Sequence, residues 1–304
     1  MVGNWPRLAI TEEGATFVVF TASLASKRLR ELLSDDFNFE LCLRKLSLEQ
    51  QLKIRNARHD PVKALLLGLF AQVVLNYALY SGGSADVFRP FEDLPLGVNE
   101  YGKPRLDNGL CIEYNSSSSN DIMAIVVQFN GSTPVGVDLS HETQSSISET
   151  EFVEQFAGIF APVELRQLGA IEDVSQRYVF FNQLWTLKEA FTKFVGCGLN
   201  VDLSSFHFQV GPARPSLRNP EVVHGANYNL LMAEWQRDIE VDFENLEKPF
   251  KSKILERPIH CQSSVLRTEK TLPVFISLVS QNPMESTEII DLDMEKIVQA
   301  IIGD

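Results

Sequence analysis

Residues 175–196 read as one long helix whose apolar side chains, Phe180, Leu184, Leu187, Phe191 and Phe194, cover much of its surface. A helix of that kind has to be sunk into a fold, with structure on several sides, rather than laid on its surface. Gly196-Cys197-Gly198-Leu199 ends it in a tight loop. The same helix keeps Glu189 and Lys193 one turn apart on one face, with Trp185 one turn before Glu189 on the same side. On an exposed helix an i,i+4 Glu–Lys pair contributes only about 0.2–0.5 kcal/mol and has no other task. Retained on a mostly buried helix, an acid and a lysine point to a site.

The rest of the chain supplies both helices and strands. Thr16–Phe20 reads as a buried strand, 27–33 as helix-prone, and Ser47-Leu48-Glu49-Gln50 as the capped start of a helix through Lys53. A long apolar helix follows from Asp60-Pro61 to about Tyr80, then a loop-rich stretch over 81–108. Leu110–Tyr114, Ile122–Phe129 and Val135–Leu139, separated by Asn/Ser/Gly turns, suggest an antiparallel meander. Further helices are expected at 149–157, 162–169 and 175–196, and strands near 206–210, 228–235, 239–243 and 273–279. Residues 285–302 read as an amphipathic closing helix through Ile289, Ile290, Leu292, Ile297, Val298 and Ile301. The expected class is α+β: two similar halves in a pseudo-twofold arrangement, 1–133 and 134–304, with small antiparallel sheets, packed helices and the active site between the halves.

Composition narrows the partners. Lys and Arg number 27 against 40 Asp and Glu, a net charge of −13, which disfavours nucleic acid as a partner. Any phosphate site has to be made locally by a few cations, metal and backbone amides. No apolar run is read as reaching the roughly 18 residues of a membrane span, and the N-terminus lacks the pattern of a secretory signal. Cys42, Cys111, Cys197 and Cys261 are scattered without metal-ligand spacing, which suits reduced thiols and the cytoplasm.

A second carboxylate comes from Pro134-Val135-Gly136-Val137-Asp138-Leu139. In a strand, Gly136, Asp138 and Ser140 share the face opposite Val135, Val137 and Leu139. Such an acid is often only the solvated side of a sheet, but Gly136 beside it lets another group approach. Two carboxylates on separate rigid elements, with a lysine beside one of them, make a natural Mg²⁺ and phosphate site.

Four segments in order carry a family resemblance: Gly102-Lys103-Pro104, Tyr114-Asn115-Ser116-Ser117-Ser118, Gly136-Val137-Asp138-Leu139-Ser140, and Trp185 through Leu199. Together they resemble the 4′-phosphopantetheinyl transferases of the large, surfactin-synthetase-activator class, whose members share a Gly-Lys-Pro segment, Asn-x-Ser-His, Gly-Val/Ile-Asp-Ile-Glu and Trp-x-x-Lys-Glu-x-x-x-Lys. Asp36–Glu40 and the helix with Lys53 extend the likeness to the fungal enzymes that activate α-aminoadipate reductase for lysine synthesis.

The resemblance implies transfer of phosphopantetheine from coenzyme A to a carrier-protein serine. It implies Mg²⁺ on Asp138 and Glu189, Lys193 on the phosphates, and Glu189 or a metal-bound water as the base. Lys53 would take the ribose 3′-phosphate, Lys103 and Pro104 would flank the adenine, and Asn115, Ser117 and Ser118 would line the phosphate path. A monomer is expected, with coenzyme A and a carrier domain as its partners. Ser118 stands where the family has histidine, and Ser140 replaces the second acid of the strand, for which Glu142 is a candidate substitute. A second reading keeps the fold as a coenzyme A or carrier-binding module that has lost catalysis. The joint presence of Asp138, Glu189 and Lys193 weighs against it.

Overall fold

The first strand, β1 (Thr16–Ser23), sends Val18, Phe20 and Ala22 to one side and Phe17 and Val19 to the other. All five are buried, so this strand lies between two layers. The structure, a computed structural model, describes residues 5–107, 109–119, 121–140, 152–211, 217–254, 256–267 and 273–303. After β1 come α1 (Lys27–Leu33), α2 (Asp36–Leu43), α3 (Leu48–Arg55) and α4 (Pro61–Ser81). Ser26, Asp35, Ser47 and Asp60 cap their N-termini through side-chain oxygens, and Ser47 with Gln50 closes a capping box.

By length and composition α4 is apolar enough to cross a bilayer, so the expectation that no stretch reaches that length is corrected. Here it is the central core helix, with Leu65, Leu69, Phe70, Val73, Val74 and Tyr77 at or near zero exposure. Its polar Gln72 and Asn76 point their amides at the carbonyls of Glu92 and Pro90, which ties down the irregular segment beyond it.

The remaining elements are β2 (Leu96–Val98), β3 (Pro104–Leu106), β4 (Ile112–Ser119), β5 (Ile122–Phe129) and β6 (Val135–Leu139), then α5 (Phe152–Gln155), α6 (Pro162–Gly169) and α7 (Val174–Val195). They continue with β7 (His207–Val210), β8 (Glu221–His224), β9 (Asn229–Met232), β10 (Ile239–Asp242), α8 (Lys248–Lys251), β11 (His260–Arg267), β12 (Val274–Ser280), β13 (Thr287–Asp291) and α9 (Met294–Gly303). A six-stranded sheet has the order β4-β5-β1-β13-β9-β8, and a three-stranded one the order β11-β12-β6. Helices α1, α2, α4 and α9 cover one face of the large sheet. Its other face packs on the small sheet through Phe17, Val19 and Val126 against Val137, Leu139, Ile276 and Leu278. On the far side of the small sheet lies α7, joined by the β7–β10 pair.

The class is α+β, as read from the sequence, with one mixed sheet beside the small antiparallel ones, because β1 and β13 run parallel. Three local expectations change. The meander stops after β5, whose edges are already taken by β1 and β4; β6 pairs instead with β12, Asp138 opposite Ser277. Ser116–Ser119, read as a turn, forms the second half of β4. The expected closing helix is a strand and then a helix. Ile289 and Ile290 are buried on opposite faces of β13, which only an extended segment between two layers allows, and α9 starts after Asp293, whose carboxylate accepts from the Glu295 and Lys296 amides. Strands β8, β9 and β13, from beyond residue 134, thereby complete the sheet begun by β1, β4 and β5. Of the helix expected at 149–157, residues 149–151 lie outside the described residues, and α5 occupies the first four residues of the rest.

Candidate active site

Every residue of β6 is buried although β6 is the edge of its sheet. One face packs into the core between the sheets, and α7 covers the other. The approach of α7 is set by Gly136: a Cβ there would lie 2.0 Å from the Ala190 carbonyl oxygen and 2.7 Å from the Phe194 amide nitrogen. Helix and strand therefore meet backbone to backbone, which no side chain at 136 would permit. Ala190 follows Glu189 and precedes Lys193, so the crossing point carries both functional side chains to Asp138.

Lys193 Nζ lies 2.7 Å from Asp138 Oδ1, with side-chain exposures of 26% and 9%. Ser117 Oγ donates to the same oxygen at 2.8 Å. Glu189, half-buried, stands close enough for the Asp138 charge to act on it. Burial pushes its carboxyl above the usual carboxylate range, Asp138 pushes it further, and Lys193 opposes both. Like-charged carboxylates that share one lysine leave room for a second cation. Among the described residues no group of three or more His, Cys, Asp or Glu converges, so this pair is the donor set on offer. It fits a hard divalent ion that keeps several of its waters.

The free edge of β6 is covered by β4. Alternate side chains of one face of β4 reach it in turn: Asn115 Oδ1 accepts from the Val137 amide at 2.9 Å, Ser117 holds Asp138, and Ser119 Oγ donates to the Ser140 carbonyl at 3.0 Å. Asn115 is thus spent on the backbone of β6. Ser118 belongs to the opposite face of β4 and is exposed. Ser140 is fully buried, and its Oγ accepts from the Phe275 amide at 2.7 Å, so its hydroxyl serves the strand pairing. Glu142 lies outside the described residues.

Lys103 reaches the site from the side. Its Nζ donates to the Lys193 carbonyl at 2.7 Å and the Val135 carbonyl at 3.0 Å. Burial lowers this amine to about 8, and Lys193 acts the same way; Glu113 opposes them, and the two carbonyls favour the charged form. Pro104 is exposed at the start of β3. Lys53 is not drawn into this cluster: it pairs with Glu49 at 2.7 Å on its own exposed helix surface, and α3 packs on α4.

One neighbour was not singled out from the sequence. Lys188 is fully buried, bonded at 2.8 Å to Glu164 and to the carbonyls of Leu203 and Phe206. Glu164 in turn accepts from the Ala161 and Phe208 amides at 2.9 and 3.0 Å. This closed network fixes α7 to α6 and β7 directly beside Glu189. Helical spacing carried the signal: Lys188 follows Leu184 by four and precedes Phe191 by three, which places it on the apolar face.

Residues 134–250 match the model of the 4′-phosphopantetheinyl transferase superfamily. The chain is 30% identical over 187 residues to the L-aminoadipate-semialdehyde dehydrogenase-phosphopantetheinyl transferase of Saccharomyces cerevisiae, covering 59% of this chain and 63% of the yeast protein. The Eremothecium gossypii protein of the same name is 29% identical over 171 residues, 56% of this chain and 58% of that protein. A 4′-phosphopantetheinyl transferase of Bacillus subtilis is 32% identical over 113 residues, 37% of this chain and 46% of that protein. The matches therefore span less than two thirds of the length of these relatives.

Proposed function

We propose, from the match of residues 134–250 to the 4′-phosphopantetheinyl transferase superfamily, that this chain transfers the 4′-phosphopantetheine group of coenzyme A to a serine hydroxyl of a carrier-protein domain. The observation that carries the reading is the convergence of Asp138, Glu189 and Lys193 where α7 crosses β6 at Gly136. In the reaction the serine oxygen forms a bond to the phosphorus nearer the pantetheine. The phosphoanhydride bond breaks, and adenosine 3′,5′-bisphosphate leaves.

Asp138 and Glu189 would hold Mg²⁺, which when bound supplies charge neutralisation on the diphosphate. Lys193 exchanges its contact with Asp138 for the phosphates, acting as a point charge. Glu189, whose carboxyl is made more basic by burial and by Asp138, would take the serine proton when ionised, with a metal-bound water as the alternative base. Ser117 keeps Asp138 oriented through the exchange. Ser140 has no part in holding the metal.

The name of the yeast relative favours a carrier domain of α-aminoadipate reductase, in lysine biosynthesis. We read the protein as a monomer, and as cytoplasmic in keeping with its four free cysteines. A panel of purified carrier domains, each incubated with coenzyme A and Mg²⁺ and read by intact mass, tests both the activity and the carrier. Gain of one phosphopantetheine on the aminoadipate reductase domain is the expected result. Binding of coenzyme A with no mass gain on any carrier would favour the binding-module reading instead.

A further inference from the structure

We propose that Lys103 is a positioning residue: its ammonium group joins the start of β6 to the last turn of α7 and so sets the separation of Asp138 from Glu189. The inference rests on the transfer reading above, and it gives the Lys103 side chain a task inside the protein rather than on coenzyme A.

The last carbonyls of a helix lack partners within the helix. In α7, Gly196 adopts a left-handed conformation at φ 71° and returns its amide to the Thr192 carbonyl. The Lys193 carbonyl is bonded by Lys103 Nζ at 2.7 Å and the Gly196 carbonyl by Asn99 Nδ2 at 3.3 Å. Both donors come from the turn between β2 and β3, so a loop of the first half caps the catalytic helix of the second. A cation at this end also suits the helix dipole.

The same ammonium bonds the Val135 carbonyl at 3.0 Å. Val135 lies three residues before Asp138, and Lys193 lies one turn after Glu189. At Gly136 the two elements touch without a side chain to interlock them. Close backbone packing without an interlocking side chain does little against sliding, whereas hydrogen bonds from one nitrogen to both elements oppose it. The turn itself is rigidly held. Asn99 Oδ1 accepts from the Tyr101 and Lys103 amides at 2.9 and 2.8 Å, and Gly102 takes φ 81°. On its outer side Lys253 bonds Glu100 at 2.6 Å and lies 4.1 Å from the centre of the Tyr101 ring.

Lys103→Met keeps most of the stem and removes the donor. Three readouts on the full chain test the assignment: the Mn²⁺ dissociation constant without coenzyme A, by electron paramagnetic resonance; kcat and KM for coenzyme A; and the thermal midpoint. The expected result is Mn²⁺ binding weakened about 10- to 100-fold and kcat lowered by a similar factor, with KM for coenzyme A within about twofold. Lys103→Arg, which can still donate to both carbonyls, should recover part of both losses. A raised KM with unchanged kcat and Mn²⁺ affinity would make Lys103 a coenzyme A ligand and overturn the assignment. A lowered midpoint with both other readouts unchanged would overturn it in favour of a purely structural cap. If Lys103→Met fails to fold, Asn99→Ala, which removes the second cap, should weaken Mn²⁺ binding in the same direction; unchanged binding there overturns the proposal. Absence of transfer by the wild type would sink the transferase reading alone, since the Mn²⁺ measurement still decides the clamp.

Discussion

Lys193 and Asp138 meet at 2.7 Å across a helix–strand contact that is closed to every residue but glycine at position 136. The ion pair is partly shielded and shares its carboxylate oxygen with Ser117. Lys193 is thereby held against Asp138, and Asp138 and Glu189 stand on elements that cannot easily part.

Gly136→Ala should act on this geometry directly. Its Cβ would meet α7 backbone atoms rather than a flexible side chain, so the helix must shift outward. Chemical denaturation should show a loss of about 1–3 kcal/mol. Transfer should fall by more than that loss explains, because the carboxylates move apart. Wild-type turnover in a folded Gly136→Ala protein would refute the crossing point as the organiser of the site.

Asp138→Asn and Glu189→Gln should each lower transfer on the order of a hundredfold or more by loss of metal and charge stabilisation. Circular dichroism should remain native, since both substitutions keep the side-chain volume and Asn can still accept from Ser117. Near-normal turnover of either variant at limiting Mg²⁺ would remove that acid from the metal site.

The direction of the Glu189 shift gives a pH test. Its carboxyl titrates higher in the folded than in the unfolded protein. Between those two values the folded state binds more protons, so this group's contribution to stability falls as pH rises through the window. Without metal, the thermal midpoint of the wild type should therefore gain from acidification into that window more than that of Glu189→Gln. Transfer should move the opposite way, failing as Glu189 becomes protonated. Identical midpoint-versus-pH curves for the two proteins would contradict the assigned environment.

The Lys188–Glu164 pair makes a separate stability prediction. Lys188→Met leaves a fully buried carboxylate without its cation, which costs about 3–5 kcal/mol. Adding Glu164→Gln removes the stranded charge and should return part of that loss in urea titrations. Additive losses in the double variant would show that the two residues are not coupled.

The residues of the candidate site were legible in the sequence to different degrees, for physical reasons. Periodicity of two and of 3.6 put Asp138 opposite Val135 and Val137, and Glu189 and Lys193 on one face; both patterns are local. What they could not show is that β6 pairs with β12, a strand more than a hundred residues later, or that α7 covers the face that carries Asp138. The run Ser116–Ser119 looked like a turn because serine clusters favour turns, but it extends the β4–β5 hairpin, and its Ser117 and Ser119 side chains bond β6, which no local pattern shows. The family resemblance set Lys103 beside the adenine, whereas the two carbonyls that its ammonium bonds belong to segments distant in sequence, which no local pattern shows. The end of the chain was misread although its signal was present. Asp293 is a helix cap, and the β-branched pair Ile289-Ile290 before it suits a strand buried on both faces.

On the reading proposed above, the crossing of α7 over β6 is a metal-dependent transfer centre. Its most direct test is the initial rate of phosphopantetheine transfer from labelled coenzyme A to a carrier domain, measured with Mg²⁺ and after chelation, with the carrier's serine replaced by alanine as control. Label is expected on the intact carrier with Mg²⁺ present and none after chelation or on the alanine carrier, with the rate lowered on the order of a hundredfold or more in the Asp138→Asn and Glu189→Gln enzymes. Label that persists at the wild-type rate in both acid variants would place the chemistry elsewhere in the molecule.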